Sequence, residues 1–236
     1  MERESPHDAF VLKHGRERCK LEDLPPGATV GTSSIRRGAQ IAYKYPHLRL
    51  QDIRGNVPTR LRKLDEEAGP FDALILAAAG LKRLDLADRI TELLRSSSGS
   101  MLYAVGQGAI GIECRADDKG IAPLLQAVNH TRTSLACLAE RSLLRKLEGG
   151  CSAPLGVETH WMSQNDNTAL LQILALIVSE DGSSHVEVKL QNEVNNAEAA
   201  ERFGIAAANE LLAHGAGEIL EAIKAKRPTE SIDLGD

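Results

Sequence analysis

Arginines follow two strand-to-helix junctions in close succession, and their spacing suits the capture of anions. The first junction reads Gly31-Thr32-Ser33-Ser34-Ile35-Arg36-Arg37, the second Arg54-Gly55-Asn56-Val57-Pro58-Thr59-Arg60. A guanidinium keeps its charge at any physiological pH, and its fork of N–H groups matches a carboxylate or phosphate. A helix N-terminus adds unpaired N–H groups and the positive end of its dipole. Arg36, Arg37, Arg54 and Arg60 at one crevice would bind a ligand carrying several carboxylates or phosphates. Taken singly, an arginine is more often a solvated helix-face charge. Two pairs at equivalent junctions argue for a site.

Cys151 is the second chemical candidate, within Leu147-Glu148-Gly149-Gly150-Cys151-Ser152-Ala153-Pro154. A buried structural cysteine is the usual reading. Two preceding glycines and a nearby proline instead predict a tight, exposed loop after a helix, where a thiol near arginines would be nucleophilic. Cys19, Cys114 and Cys137 have no such setting, and no Cys-x-x-Cys pair is present. The seven histidines are scattered, with no His-Glu-x-x-His and no Ser/His/Asp arrangement, so no metal is expected.

These residues need elements to position them. Pro25-Pro26-Gly27 predicts a turn into a short strand at Val30. Ser33 or Ser34 would cap a helix over about 35–45 that ends before Pro46. Leu48, Leu50 and Ile53 read as a strand, and a second helix spans about 57–67. The apolar run Ala73–Ala79 predicts a buried strand of a parallel sheet, followed by a helix over about 84–95. Ligands of such sheets sit at the carboxyl ends of the strands, where the arginines fall. Ala104–Glu113 lacks dinucleotide-loop spacing and reads as a strand with close backbone approaches. A helix is predicted over 132–147. Alternating runs over about 155–161, 169–178 and 184–190 predict an antiparallel sheet, and helices over about 197–213 and 216–225 close the chain. The fold class is therefore α/β: a periplasmic-binding-protein-like domain with a parallel core, followed by a smaller α+β domain with an antiparallel sheet.

Composition sets limits. The 236 residues carry a formal net charge of −5, with 42% hydrophobic and 26% charged residues, as in an ordinary globular protein. Net acidity argues against a general nucleic-acid binder, which needs a basic surface. The longest apolar run, about Ala73 to Leu81, is too short to span a bilayer. The polar start and unpaired cysteines predict a cytoplasmic protein in a reducing compartment.

Several stretches together resemble the porphobilinogen deaminase (hydroxymethylbilane synthase) family. They are Val30–Arg37, Ile53–Asn56 with Thr59-Arg60-Leu61, Ala79–Arg83, Ala104–Ala109 and Leu147–Cys151, in that order. The resemblance implies head-to-tail condensation of four porphobilinogen units with release of ammonia. It implies a dipyrromethane cofactor held by a thioether to Cys151. Thr32, Ser33, Ser34, Arg36, Arg37, Arg54 and Arg60 would bind carboxylates of cofactor or growing chain, and Arg83 those of the incoming substrate. The family has three domains. Residues 1–9 would be a remnant of domain 1 and hinge, 10–102 domain 2, and 103–128 the return segment of domain 1. Residues 130–236 would be the C-terminal domain bearing the cysteine. The front departs from the family: most of domain 1, with its catalytic aspartate, is expected to be missing. No carboxylate is assigned to that role, neither Asp52 nor Glu148. The expected partner is the small molecule porphobilinogen, with no nucleic acid and no membrane. The family is typically monomeric, but exposed apolar surface and an unpaired edge at 104–112 would favour self-association. Two other readings are a non-catalytic polycarboxylate-binding module and an anion-binding protein of the periplasmic-receptor type.

Overall fold

The computed structural model describes residues 1–98, 101–147, 153–162 and 169–225. Cys151 and Glu148 lie outside the described residues. The first half builds a five-stranded sheet from β1 (Asp8–Leu12), β2 (Thr29–Gly31), β3 (Arg49–Gln51), β4 (Ala73–Ala77) and β5 (Glu92–Leu94). Its order is β3-β2-β4-β1-β5. β2 is parallel to β3 and β4, whereas β1 runs antiparallel to both β4 and β5. The sheet is thus mixed around a parallel core.

Strand alternation explains the two cores that flank this sheet. Phe10, Leu12, Ala73 and Ile75 point to one face, where they meet Ile41 of helix α1 (Ile35–Lys44) together with Leu21 and Met101. Ala9, Val11, Leu74 and Leu76 point to the other, against Leu61 and Leu64 of α2 (Val57–Asp65) and Leu81 of α3 (Ala78–Arg83). Two covered faces require apolar residues at successive positions, which is why the β4 sequence, ALILA, has no alternation.

The second half packs α5 (Thr131–Lys146), α6 (Ala197–Ala213) and α7 (Ala216–Ala225) against an antiparallel sheet of β6 (Leu155–Trp161), β7 (Leu170–Val178) and β8 (His185–Glu193). Gly204 lets α6 cross α5 closely, since a Cβ there would fall 2.1 Å from the Ala139 carbonyl oxygen. β7 is also covered on both faces. Leu171, Ile173, Ala175 and Ile177 meet the helices of its own unit. Leu176 and Val178 meet Ala39 of α1 and Leu102. The β7–β8 turn presses Gly182, at φ +75°, onto the backbone of Ala42 and Tyr43. Tyr43 Oη lies 2.9 Å from His185 Nε2. These contacts seat the second unit on α1.

Two expectations from sequence fail. No α-helix occupies 84–95, where a single 3₁₀ turn covers only Ala87–Arg89. Instead α3 follows β4 at once, the chain reverses at Asp85 with φ 57°, and Glu92–Leu94 pairs with β1. Leu86, Ile90 and Leu93 have helical-looking spacing, but they turn inward from a loop and strand onto the α2–α3 core. Nor is 104–113 a strand. Gly106 and Gly108, at φ +70° and +82°, make successive turns, and only Tyr103 forms a bridge, to Val157. The tightness is required at Gly108, where a Cβ would sit 2.4 Å from the Glu4 carbonyl oxygen. The segment beyond is apolar and open: Ile110 is 60% and Ile112 52% exposed, and α4 (Ile121–Val128) buries no residue.

Candidate carboxylate-binding site

The parallel strands β2 and β3 end beside each other, and the loops that follow are tied together. The Thr32 N–H donates to the Gln51 carbonyl at 3.0 Å, and the Ser33 hydroxyl donates to the Ile53 carbonyl at 2.5 Å. The Ser34 N–H donates to Thr32 Oγ1 at 3.2 Å. Ser34, rather than Ser33, caps α1 by accepting from the Arg37 N–H. Such a cap satisfies one of the unpaired N–H groups in the first turn, and those remaining face the loop. At the second junction Asn56 caps α2 by accepting from the Thr59 N–H at 2.9 Å, with Pro58 in the first turn. Gly55 reaches φ +118°, with Thr59 directly beneath it.

Arg36 and Arg37 are buried, at 5% and 9% exposure. Both clasp Asp8, the first residue of β1. Arg36 Nη1 lies 2.7 Å from Asp8 Oδ2, and Arg37 reaches Asp8 Oδ1 through Nη2 at 2.7 Å and Nε at 2.9 Å. Arg36 Nη1 also donates to the Leu102 carbonyl, and Arg37 Nη1 to the Ile75 carbonyl at 3.1 Å. Gln107 completes the cluster, donating to Asp8 Oδ1 at 3.0 Å and accepting from Arg36 Nη2 at 3.4 Å. Burial opposes ionisation of Asp8. The two guanidiniums and the hydrogen bonds outweigh it and hold the carboxyl down at about 2. One carboxylate against two guanidiniums leaves a net positive charge on a rigid, nearly dry cluster.

Arg60 comes from the second junction, within electrostatic reach of Arg37. Its Nε donates to the Gly55 carbonyl at 2.6 Å. Partial burial, then the like charge of Arg37, pushes its pKa below the ordinary arginine value. Arg54 differs: its side chain is 84% exposed, with a 3.4 Å contact to Asp52. Arg83, at the end of α3, lines a cleft of about 490 Å³ with Arg3, Glu4, Lys82 and Gly108, whose lining includes none of the other four arginines. The structure therefore brings together Thr32, Ser33, Ser34, Arg36, Arg37 and Arg60. It leaves Arg54 at the rim and Arg83 in a cleft of its own.

Sequence reasoning missed Asp8 and Gln107. A signal for Asp8 was present: an acid opening an otherwise apolar five-residue strand must find a cation if the strand is buried. A second buried carboxyl acts as an anchor. Glu140 of α5, 0% exposed, accepts from Arg3 at 2.7 Å, from Thr159 Oγ1 at 2.7 Å and from the Gly106 N–H at 2.7 Å. Arg3 in turn donates to the Gln107 carbonyl at 2.8 Å. The turn carrying Gln107 is held from both sides.

Residues 1–123 match the family model described as porphobilinogen deaminase, dipyromethane cofactor binding domain, and residues 134–213 match that of the porphobilinogen deaminase C-terminal domain. The chain belongs to the porphobilinogen deaminase family. A porphobilinogen deaminase of Debaryomyces hansenii is 47% identical over 227 residues, covering 96% of this chain and 62% of the relative. One from Schizosaccharomyces pombe is 48% identical over 219 residues, covering 93% and 65%. One from Prochlorococcus marinus is 49% identical over 222 residues, covering 94% and 67%. The chain thus spans less than two thirds of the length of the first two porphobilinogen deaminases. All the matched arginines, with Asp8 and Gln107, fall in the cofactor-binding match, and Glu140 falls in the C-terminal match.

Proposed function

We propose that this chain serves as a hydroxymethylbilane synthase (porphobilinogen deaminase), joining four porphobilinogen units head to tail with release of ammonia in tetrapyrrole biosynthesis. The observation that carries the reading is the buried Arg36–Arg37 pair, backed by Arg60 and the capped start of α1. Dipyrromethane carries acetate and propionate carboxylates, and a preorganised cationic cluster at the strand ends fits such a group. When bound through a thioether to Cys151, it would supply the pyrrole terminus onto which new units are joined. Arg36, Arg37 and Arg60 hold carboxylates in this reading. Thr32, Ser33 and Ser34 contribute hydroxyl or N–H donors, Arg54 closes the rim, and Arg83 meets carboxylates of the incoming porphobilinogen. Asp8 is engaged by both guanidiniums and Asp52 is open to water, so neither takes the role of the reaction's carboxylate.

The α/β unit at 10–102 is periplasmic-binding-protein-like, 1–9 and 103–128 belong with domain 1, and 130–236 forms the C-terminal domain. Among the described residues no helix is long and apolar enough to cross a membrane, and we place the protein in the cytoplasm. The exposed Ile110, Ile112 and Leu124 support self-association of this chain. The deciding experiment is the intact mass of the purified chain after incubation with porphobilinogen, with Cys151→Ser as control. An increment of two linked pyrrole units, absent from the control, supports the assignment. An unmodified mass removes Cys151 from it.

A further inference from the structure

Two adjacent guanidiniums on one helical turn repel each other. Left alone in a buried site, they would point apart or draw in an anion at random. In this fold neither happens, because Asp8 lies between them and binds one with each oxygen. Asp8 is 1% exposed. It cannot touch a ligand without leaving its place, so any influence on binding runs through the arginines. Gln107 is the only other side chain among the described residues that contacts both Asp8 and Arg36. Its Nε2 also donates to the Pro6 carbonyl at 2.6 Å, which fixes the amide on the segment entering β1.

We propose that Asp8 and Gln107 are positioning residues: they orient the Arg36 and Arg37 forks so that the remaining N–H groups face the crevice at the ends of β2 and β3. The proposal rests on the carboxylate-binding reading above. Each guanidinium has five N–H groups. Asp8, Gln107, Leu102 and Ile75 occupy some on both arginines and leave others for a ligand. Offsetting one of the two charges also limits how tightly a carboxylate is held, which suits a site that must let a growing chain advance.

The test uses the full chain labelled with ¹⁵N, reading the Nε–Hε signals of Arg36, Arg37 and Arg60 while titrating benzene-1,2,4,5-tetracarboxylate. Two variants are compared. Asp8→Asn removes the charge. Gln107→Leu leaves every charge in place and guards against a fold too damaged by the first change. With positioning, the Arg36 and Arg37 Hε protons of Gln107→Leu exchange faster with water, and its dissociation constant for the probe rises about tenfold. The signals of the folded core stay unchanged. If Gln107→Leu and every folded Asp8→Asn sample bind within twofold of the unsubstituted chain, the positioning role is overturned and the carboxylate site survives. If the unsubstituted chain itself shows no saturable shift at the three arginines, the carboxylate reading falls, and this inference with it.

Discussion

The two strand-to-helix junctions are built from the same parts and behave differently. Each has a capping side chain, Ser34 or Asn56, and each sends arginines from its flank or first turns. At the first, Arg36 and Arg37 are buried around Asp8. At the second, Arg60 is partly buried and Arg54 stands in water. The cause lies outside both junctions: β2 is flanked by β3 and β4, whereas β3 is the sheet's edge and all three of its residues are exposed. A junction deep in the sheet must neutralise part of its charge to fold. A junction at the edge leaves its charge exposed to water and screened.

Asp8→Ala should separate the two junctions most. It leaves two buried guanidiniums without a carboxylate, and loss of one partner of a buried ion cluster costs about 3–5 kcal/mol. Urea unfolding should show that loss, whereas Arg54→Ala should leave the midpoint nearly unmoved. Equal effects at the two junctions would refute the contrast.

Acid should act on the first junction next. The Asp8 pKa is held at about 2, below its ordinary 3.8. Because the folded value is depressed, the stabilisation is fully present above about pH 4 and is lost as pH falls through 2. Its size is about 2–3 kcal/mol, from that difference at about 1.4 kcal/mol for each unit of pKa. Asp8→Asn, if folded, should lack this part of the acid transition.

The two helix caps should differ less in stability than in their reach to the arginines. Ser34→Ala and Asn56→Ala should each cost about 1 kcal/mol. Ser34→Ala should also disturb the Hε signal of Arg37, whose own N–H the serine holds. Asn56→Ala should leave it in place. Arg54→Ala is the smallest expected effect on folding, within about 0.5 kcal/mol. It should still weaken a tetracarboxylate probe, more at low salt than at high.

The helices α1, α2, α5, α6 and α7 and the three antiparallel strands were legible in the sequence, because their caps and apolar periods are local signals. The segments at 84–95 and 104–113 were not. The first earns its strand only by pairing with β1, some eighty residues earlier in the chain. The second is set by contacts of Gly106 with Glu140 and Gly108 with Glu4. In both, distant partners outweigh local spacing.

The same division runs through the site. Order along the chain is enough to put arginines near two helix starts, since strand, cap and first turn are neighbours. The sequence also carries the ordered motifs that mark the family. Folding settles which arginines are buried, that Asp8 from a strand inserted antiparallel beside β4 divides two of them, and that Gln107 braces the carboxylate. The reason is physical: the charge balance of a buried site depends on which groups meet after desolvation, and those groups come from segments separated by nearly a hundred residues.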